Sequence, residues 1–296
     1  MTKLTEILNN KGRLLTTEFL PPKTTSLSDL VGKTLKVANV IDSVSLPELR
    51  ANHRGVPKHR MNAIYAAVRL RDLTGVETLF HLTPRDYNRN AIAGLLLAAA
   101  EAGLNNILVI GGDRYAGDEE VTLSKNVYDY KGAKDLIRGI LSLESEAAIS
   151  KSDGFCIVVG TDPTVIYTSD KQRVDDEVSK LLDRQDAGAE LVQTQPVFDS
   201  RFFEFLDIAK EQGLKIPVLA GIVPLRSKAD SIEIERRFGI TIPSEIKMAL
   251  QDGGEGTGRR LVSELASHLI ENGVRSLHLY PRESCEFILE IAKVIS

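Results

Sequence analysis

The amino-acid sequence predicts an α/β fold, a single (β/α)8 TIM barrel in which helices surround a closed cylinder of parallel strands. The first observation is a unit that recurs about eight times: a short β-branched or apolar run, a polar or glycine-containing stop, and an amphipathic helical stretch. The second is the length, since 296 residues suit one barrel of about 250 residues and no linker rich in Pro, Gly or Ser divides them. We therefore expect residues 1–296 to form one catalytic domain.

The predicted strands are short runs, each ended by a polar or glycine-containing stop. In chain order they are 14–19, 40–46, 76–83, 107–111, 155–160, 191–195, 217–222 and 274–280. Parallel barrel strands place their carboxyl ends at one face, where active sites of this fold lie. The residues at those ends are therefore candidate site residues: Glu18, Pro47, His81 with Thr83, Asp113, Asp162, Gln195, Val223 and Tyr280.

The intervening helices are recognised by apolar residues at spacings of three and four, as in Ala63, Ala66, Ala67 and Leu70 after the second strand. An extra helical pair, 228–238 and 243–253, is predicted before the last strand and is expected to end at Gly253 and Gly254. Two irregular stretches, 47–58 and 115–131, follow strands on the predicted catalytic side, where long insertions are usually functional.

The composition is that of an ordinary globular protein. Hydrophobic residues make up 43% and charged residues 26%, which disfavours disorder and membrane insertion. The polar first twelve residues carry no sign of an export leader, so a cytoplasmic location is expected. A net charge of -4 disfavours nucleic-acid binding, although a local cationic rim could still bind an anionic small molecule. Two cysteines are too few for a disulfide framework or a metal cluster, and no metal site is predicted.

Glu18 is the first candidate for acid chemistry. It lies beside Phe19 and Leu20 on a turn stiffened by Pro21 and Pro22, where partial desolvation would raise its pKa toward the range of a general acid. A solvated glutamate, or one paired with Lys23, is an equally weighted alternative.

The third and fourth strands end in further polar groups. His81 either has a structural hydrogen bond or contacts a cofactor hydroxyl, and the lack of a second ligand at suitable spacing argues against zinc. Gly111 and Gly112 would let a flat or phosphorylated ligand approach the backbone, while Asp113 either caps the next helix or serves the site. Their spacing matches neither a dinucleotide-binding nor a phosphate-binding loop.

Gln193 and Gln195 alternate with Thr194 on the sixth strand, so their amides are predicted to point into the barrel mouth. An amide can donate and accept hydrogen bonds, which suits recognition of a heterocycle. No nucleophile elbow is present. The residues alone thus indicate a barrel enzyme that handles a small organic ligand at a polar site.

Several motifs occur in order along nearly the whole chain: 18–23 (EFLPPK), 81–83 (HLT), Gly112-Asp113, 186–189 (DAGA), Thr194-Gln195, 217–224 (PVLAGIVP), Ile242-Pro243 and 278–280 (HLY). Together they resemble the methylenetetrahydrofolate reductase family, flavin-dependent (β/α)8 barrels of one-carbon metabolism. The resemblance implies reduction of 5,10-methylenetetrahydrofolate to 5-methyltetrahydrofolate, or the reverse, as in tetrahydrofolate interconversion and methionine biosynthesis.

The resemblance also implies roles for particular residues. Glu18 would donate the proton that opens the bridging ring, Asp113 would lie near flavin and pterin as a catalytic and binding residue, and Gln195 would read the pterin edge. Flavin binding, by FAD or FMN, would involve His81 at the ribityl chain together with Gly111, Gly112, Asp113, Tyr128, Asp162, Lys180 and Arg184.

The motifs at 83–86, 126–129 and 224–227 are similar to those of short reductases from anaerobes that fix carbon through folate. Such catalytic subunits receive electrons from a partner protein, whereas other members use NAD(P)H. Lys228 replaces the aromatic residue that packs on nicotinamide, and 47–50 (PELR) replaces a small glycine-containing turn near the flavin. Alternative predictions are therefore a flavin-independent folate enzyme or a barrel active only with an electron-delivering partner. A homo-oligomer is expected.

Overall fold

The computed structural model describes residues 2–48, 59–112, 126–147, 154–168 and 170–295, apart from the side chains of residues 254 and 255. Within these residues eight strands close into a barrel in chain order, and each neighbouring pair is parallel. The strands are β1 (Leu14–Glu18), β2 (Ser43–Leu46), β3 (Glu77–Leu82), β4 (Asn106–Val109), β5 (Cys156–Thr161), β6 (Leu191–Pro196), β7 (Val218–Ile222) and β8 (Ser276–Leu279). The predicted (β/α)8 barrel is confirmed, and strand ends differ from the predicted ones by a few residues at most.

Helices surround this cylinder. They are α1 (Leu4–Lys11), α2 (Ser28–Val37), α3 (Ala63–Thr74), α4 (Arg89–Glu101), α5 (Ala133–Glu146), a 3-10 helix (Pro163–Tyr167), α6 (Lys171–Asp186), α7 (Arg201–Glu211), α8 (Lys228–Phe238), α9 (Ser244–Glu271) and α10 (Cys285–Val294). Side-chain oxygens cap the first turns of α3, α4, α6 and α8, each cap being worth about 1 kcal/mol: Asn62, Asn88, Asp170 and Ser227.

The amino-terminal end of the barrel interior is closed by an apolar plug. Its members are buried side chains that point inward from the strands, together with one from α1: Leu4, Leu14, Leu79, Leu108, Cys156, Val158, Leu191 and Leu219. Leu4 is 0% exposed, and its backbone amide donates to Asn106 Oδ1 at 2.8 Å, which fixes α1 across this end. We call this set the basal cluster, and it leaves the carboxyl ends of the strands as the open end.

The second helix of the extra pair is longer than predicted. It does not end at Gly253 but continues to Glu271, although interior glycines disfavour a helix by about 1 kcal/mol each. Buried Leu250, Val262 and Leu269 form an apolar stripe along it, so tertiary packing outweighs the local penalty. At Gly258 a Cβ would lie 2.0 Å from the Leu225 carbonyl oxygen, so glycine permits a close approach to the loop after β7.

Candidate active site

Glu18 ends β1 on the inner face of the barrel. Side chains alternate along a strand, so Glu18 lies on the same side as Thr16 and Leu14, and Leu14 belongs to the basal cluster. Burial raises the pKa of the Glu18 carboxyl to about 7, against the opposing positive charge of Arg237. The predicted upward shift is thus confirmed, and near neutral pH this carboxyl exists in both protonation states.

Tyr280, directly after β8, crosses the open end toward β6. Its hydroxyl donates to the Thr194 carbonyl at 2.9 Å, and Gln193 Nε2 lies 3.4 Å from the same hydroxyl. Burial, and secondarily the charge of Glu18, raises the Tyr280 pKa, so the phenol stays neutral beside the Glu18 carboxyl. We call Glu18, Gln193, Gln195 and Tyr280 the mouth residues.

A register shift in β6 allows the hydrogen bond between Tyr280 and the Thr194 carbonyl. The pairing of β6 with β7 shifts register between Gln193 and Pro196, which frees the Thr194 carbonyl for Tyr280. A Cβ at Gly221 of β7 would lie 2.6 Å from that carbonyl oxygen, and the Gly221 amide donates to Thr194 Oγ1 at 2.9 Å. Glycine at this position therefore allows the two strands to approach closely at the mouth.

The two glutamine side chains on β6 each carry a buried carbonyl oxygen. Neither Gln193 Oε1 nor Gln195 Oε1 has a hydrogen-bond partner among the described residues. A buried acceptor without a donor destabilises a protein by about 1–3 kcal/mol, so such atoms are typical of sites that a ligand completes. The predicted amide pair is therefore present at the mouth as hydrogen-bond acceptors.

His81 and His278 lie on the inner face between the basal cluster and the mouth. His81 Nε2 is 2.7 Å from Ser45 Oγ, and His278 Nδ1 is 2.8 Å from Thr16 Oγ1. Burial lowers the pKa of each imidazole to about 3, and for His278 the neighbouring His81 adds to the effect. Both rings are consequently neutral at physiological pH and serve as hydrogen-bonding groups, not as cations.

The glycine turn after β4 is held by its neighbours. Gly112 has a φ of 73°, and a Cβ there would lie 2.2 Å from Thr83 Oγ1, so only glycine fits this position. Tyr128 donates its hydroxyl hydrogen to the Gly112 carbonyl at 2.5 Å. At Gly111 no atom of the described residues lies within 4 Å of where a Cβ would stand, and Asp113 lies outside the described residues.

The remaining predicted flavin residues surround the end of β5. Asp162 accepts hydrogen bonds from the backbone and hydroxyl of Thr164, and burial raises its pKa. Arg184 donates to the Gly160 carbonyl at 2.5 Å and lies 3.9 Å from Glu177, while Lys180 is 61% exposed. These side chains are thus close to one strand end, but Asp162 and Arg184 already have partners within the fold.

Sequence reasoning missed two acids near the strand ends, the partly buried Glu177 and the buried Glu48. Glu177 accepts from Thr161 Oγ1 and from the Asp162 amide, at 3.0 and 3.1 Å, and so organises the end of β5. Glu48, just after β2, is 8% exposed and accepts from Tyr87 at 2.6 Å. The spacing of Glu177, Lys180 and Arg184 along one helix was the available signal for the first, and no local signal marks the burial of Glu48.

No group of three or more metal-ligating side chains was found in the part of the chain that the structure describes. Likewise, none of its described helices is both long and apolar enough to span a membrane.

The carboxyl ends of the strands of this closed parallel barrel hold a carboxyl of raised pKa and two buried amide oxygens without a described donor. Such a polar site at this end of the barrel is typical of (β/α)8 barrel enzymes. A sequence profile of the methylenetetrahydrofolate reductase family matches residues 3–296. The chain therefore belongs to the methylenetetrahydrofolate reductase family.

The curated relatives carry the family name. Methylenetetrahydrofolate reductase 1 of Schizosaccharomyces pombe is 30% identical over 212 residues, which are 69% of this chain and 33% of that protein. The 5,10-methylenetetrahydrofolate reductase of Salmonella typhimurium is 22% identical over 94% of this chain and 89% of its own. The chain spans about a third of the length of its relatives from Schizosaccharomyces pombe, Oryza sativa and Arabidopsis thaliana.

Among solved structures, an uncharacterised protein from Clostridium thermocellum superposes with a TM-score of 0.64. The match covers 98% of this chain and 99% of the other at 16% identity, and it supports the fold. That protein binds two copies of 5-methyl-5,6,7,8-tetrahydrofolic acid.

Proposed function

We propose that this protein is a flavin-linked reductase that interconverts 5,10-methylenetetrahydrofolate and 5-methyltetrahydrofolate. The observation that carries the proposal is Glu18, an inward-facing carboxyl whose pKa of about 7 lets it hold a transferable proton at the barrel mouth. Family membership supplies the substrate class, and the reductase names of the relatives and the folate bound by the Clostridium thermocellum protein support it.

The chemistry needs an acid where Glu18 stands. Opening the bridging imidazolidine of the substrate breaks a carbon–nitrogen bond, and the departing amine is a poor leaving group unless it is protonated. The Glu18 carboxyl would donate that proton as the bond electrons move to the nitrogen. The remaining ring nitrogen then shares its lone pair with the bridging carbon, which becomes an iminium able to accept hydride.

A pterin ring fits the polar groups of the mouth. Gln195 Oε1 is a buried acceptor that a pterin N–H group would satisfy. Tyr280, held neutral by burial, contributes an uncharged wall beside Glu18. Asp113, which lies outside the described residues, completes the proposed set of substrate-binding and catalytic side chains.

A flat flavin ring fits the ends of β4 and β5. Among the described residues, no atom lies within 4 Å of a Cβ position at Gly111, and at Gly160 the contact is Ile110 at 4.0 Å, so these residues leave room beside the backbone at both strand ends. The proposed holding residues are His81, Gly111, Gly112, Asp113, Tyr128, Asp162, Lys180 and Arg184. Bound there as FAD or FMN, the reduced flavin would supply the hydride.

The electron donor is proposed to be NAD(P)H or a partner protein. Relatives from Oryza sativa and Caenorhabditis elegans are named as NADH and NADPH enzymes, respectively. In this chain Lys228, at the start of α8, donates to Gln251 Oε1 at 2.7 Å instead of presenting an aromatic ring. This contact favours the partner-dependent alternative, and the cytoplasmic location and homo-oligomeric state remain predictions.

The proposal is tested with the purified chain. Its visible spectrum is recorded after reconstitution with FAD and with FMN, and methylenetetrahydrofolate turnover is measured with NADH, NADPH and a low-potential chemical reductant. We expect flavin absorbance and formation of 5-methyltetrahydrofolate. Turnover from the chemical reductant alone would indicate a partner-dependent subunit, and turnover without flavin would indicate the flavin-independent alternative. No folate turnover under any of these conditions contradicts the proposal.

A further inference from the structure

We propose that Gln193 is a second pterin-reading residue, whose Oε1 accepts a hydrogen bond from an N–H group on the reduced pterin ring. In this role Tyr280 is the positioning residue that fixes the orientation of the Gln193 amide. The inference rests on the proposed function, because it names a specificity contact for the same substrate.

The hydrogen bonds of Tyr280 determine which end of the amide faces it. A phenol has a single hydrogen to donate, and Tyr280 gives it to the Thr194 carbonyl at 2.9 Å. Its oxygen can then only accept from Gln193, so the neighbouring amide atom, 3.4 Å away, is the nitrogen. The Gln193 oxygen must consequently face away from Tyr280.

That oxygen is buried and has no described donor. Gln193 is 4% exposed, and Oε1 has no hydrogen-bond partner among the residues that the structure describes. The side chain lies on the inner face, since Leu191, two residues earlier, belongs to the basal cluster. A ligand that enters at the carboxyl ends of the strands could donate a hydrogen bond to this oxygen.

Gln195 provides a second acceptor on the same strand. Gln193 and Gln195 lie on either side of Thr194 in β6, so both acceptors are near the carboxyl end of the same strand. Both are unpaired within the described part of the chain. The pair therefore selects a ligand that presents more than one N–H donor to the same wall of the barrel.

Reduced pterins match this requirement better than flavins. A tetrahydropterin ring carries N–H donors at N3, at N8 and on the 2-amino group, which lie together on its pyrimidine side. The oxidised flavin ring offers a donor at N3 alone, and reduction adds one at N5 in the central ring, away from N3. The buried acceptor at Gln193 thus favours the pterin over the cofactor as its partner. A purely structural Gln193 would need only its nitrogen, to support Tyr280, and would gain nothing from an unpaired buried oxygen.

The test uses two variants with matched controls in the flavin-reconstituted full chain. Gln193→Met removes the acceptor at similar volume, with exposed Gln172→Met as its control. Tyr280→Phe removes the hydroxyl that orients the amide, with exposed Tyr65→Phe as its control. Dissociation constants are measured for 5-methyltetrahydrofolate, for analogues that each lack one pterin N–H donor, and for the flavin.

We expect Gln193→Met to weaken tetrahydrofolate binding roughly ten- to a hundredfold and Tyr280→Phe to weaken it several-fold. Flavin affinity should stay within about twofold in both, and the controls should match wild type. The analogue that lacks the N–H donor to Gln193 should bind wild-type protein more weakly than 5-methyltetrahydrofolate does. Its affinity should fall little further in Gln193→Met, because the variant and the analogue each remove the same hydrogen bond.

Other outcomes overturn the inference. They are unchanged folate affinity in Gln193→Met, equal losses for every analogue, or a loss confined to the flavin. If Gln193→Met fails to fold, unchanged folate binding by Tyr280→Phe still rejects the arrangement. Wild-type protein that binds no tetrahydrofolate rejects the proposed function and this inference together, whereas wild-type turnover with an insensitive Gln193 rejects the inference alone.

Discussion

The two ends of the barrel interior are built from the same strands and differ in every physical property that matters for function. At the amino-terminal end, the basal cluster packs buried apolar side chains from α1 and the strands against one another. At the carboxyl end, the same inward-facing rows continue as Glu18 on β1 and Gln193 on β6, and Gln195 follows at the end of β6. Side chains only two to four residues apart on one strand therefore belong either to the apolar cluster that stabilises the fold or to the candidate active site.

The difference also appears in the electrostatics. The mouth holds a carboxyl whose pKa burial raises to about 7, together with buried acceptors that have no described donor. Such arrangements destabilise a folded protein and are kept where a ligand or a reaction uses them. The comparison predicts that truncations at the base lower stability, whereas removal of the Glu18 carboxyl at the mouth lowers turnover without lowering stability.

The largest expected effect is on turnover. Glu18→Gln keeps the shape of the side chain but removes its transferable proton, so folate reduction should fall by about 10²–10⁴-fold. Folate and flavin affinities should remain within a few-fold of wild type. Steady-state turnover and equilibrium binding check this expectation, with exposed Glu101→Gln on α4 as a control. Near wild-type turnover would remove Glu18 from the mechanism.

The converse change at the base should affect stability. Leu4→Ala removes a fully buried side chain from the basal cluster, and such truncations typically lower the free energy of unfolding by about 2–5 kcal/mol. Turnover below the unfolding transition should stay near wild type, because the mouth is untouched. Denaturant unfolding and turnover of the same preparation test this, and a large loss of turnover in the folded variant would show that the two ends are coupled.

Much of this comparison follows from the sequence. The eight strands are recognisable because buried parallel strands are continuous apolar runs, and the rise in the Glu18 pKa follows from Phe19, Leu20 and the prolines beside it. The bounds of α9 could not be predicted, because its glycines disfavour a helix locally while the packing that stabilises it is tertiary.

The arrangement of the mouth was also beyond local reasoning. Tyr280 and Gln193 are 87 residues apart in sequence, and their contact depends on a register shift in β6 and on a glycine in β7. The alternation of strand residues predicted that both glutamines face inward, but not which amide atom is left unpaired. Which amide atom is left without a partner depends on hydrogen bonds between distant strands, and these cannot be predicted from residue spacing.

A third prediction concerns the stability cost of Glu18. Its pKa is about 7 in the folded protein and near 4.5 in the unfolded chain, so its stabilising contribution is present below pH 4.5 and lost as the pH rises through 7. Glu18→Gln should therefore be more stable than wild type at pH 8, by up to about 3 kcal/mol, and equally stable near pH 4. Urea unfolding at both pH values measures this, and no gain at pH 8 would mean that the carboxyl is well solvated.

The smallest expected effect is a pH slope from the histidines between the two ends. His81 and His278 have pKa values of about 3 in the folded protein against 6.5 when unfolded, so their stabilising contribution is present above pH 6.5 and is lost as the pH falls toward 3. Each should lower the free energy of unfolding by about 1.4 kcal/mol per pH unit below 6.5. Glu18 titrates in the opposite direction over the same range, so Glu18→Gln is the appropriate background. There, His278→Gln should remove about half of the slope between pH 6.5 and 5.5 whatever its effect on absolute stability, and an unchanged slope would assign the acid sensitivity to other groups.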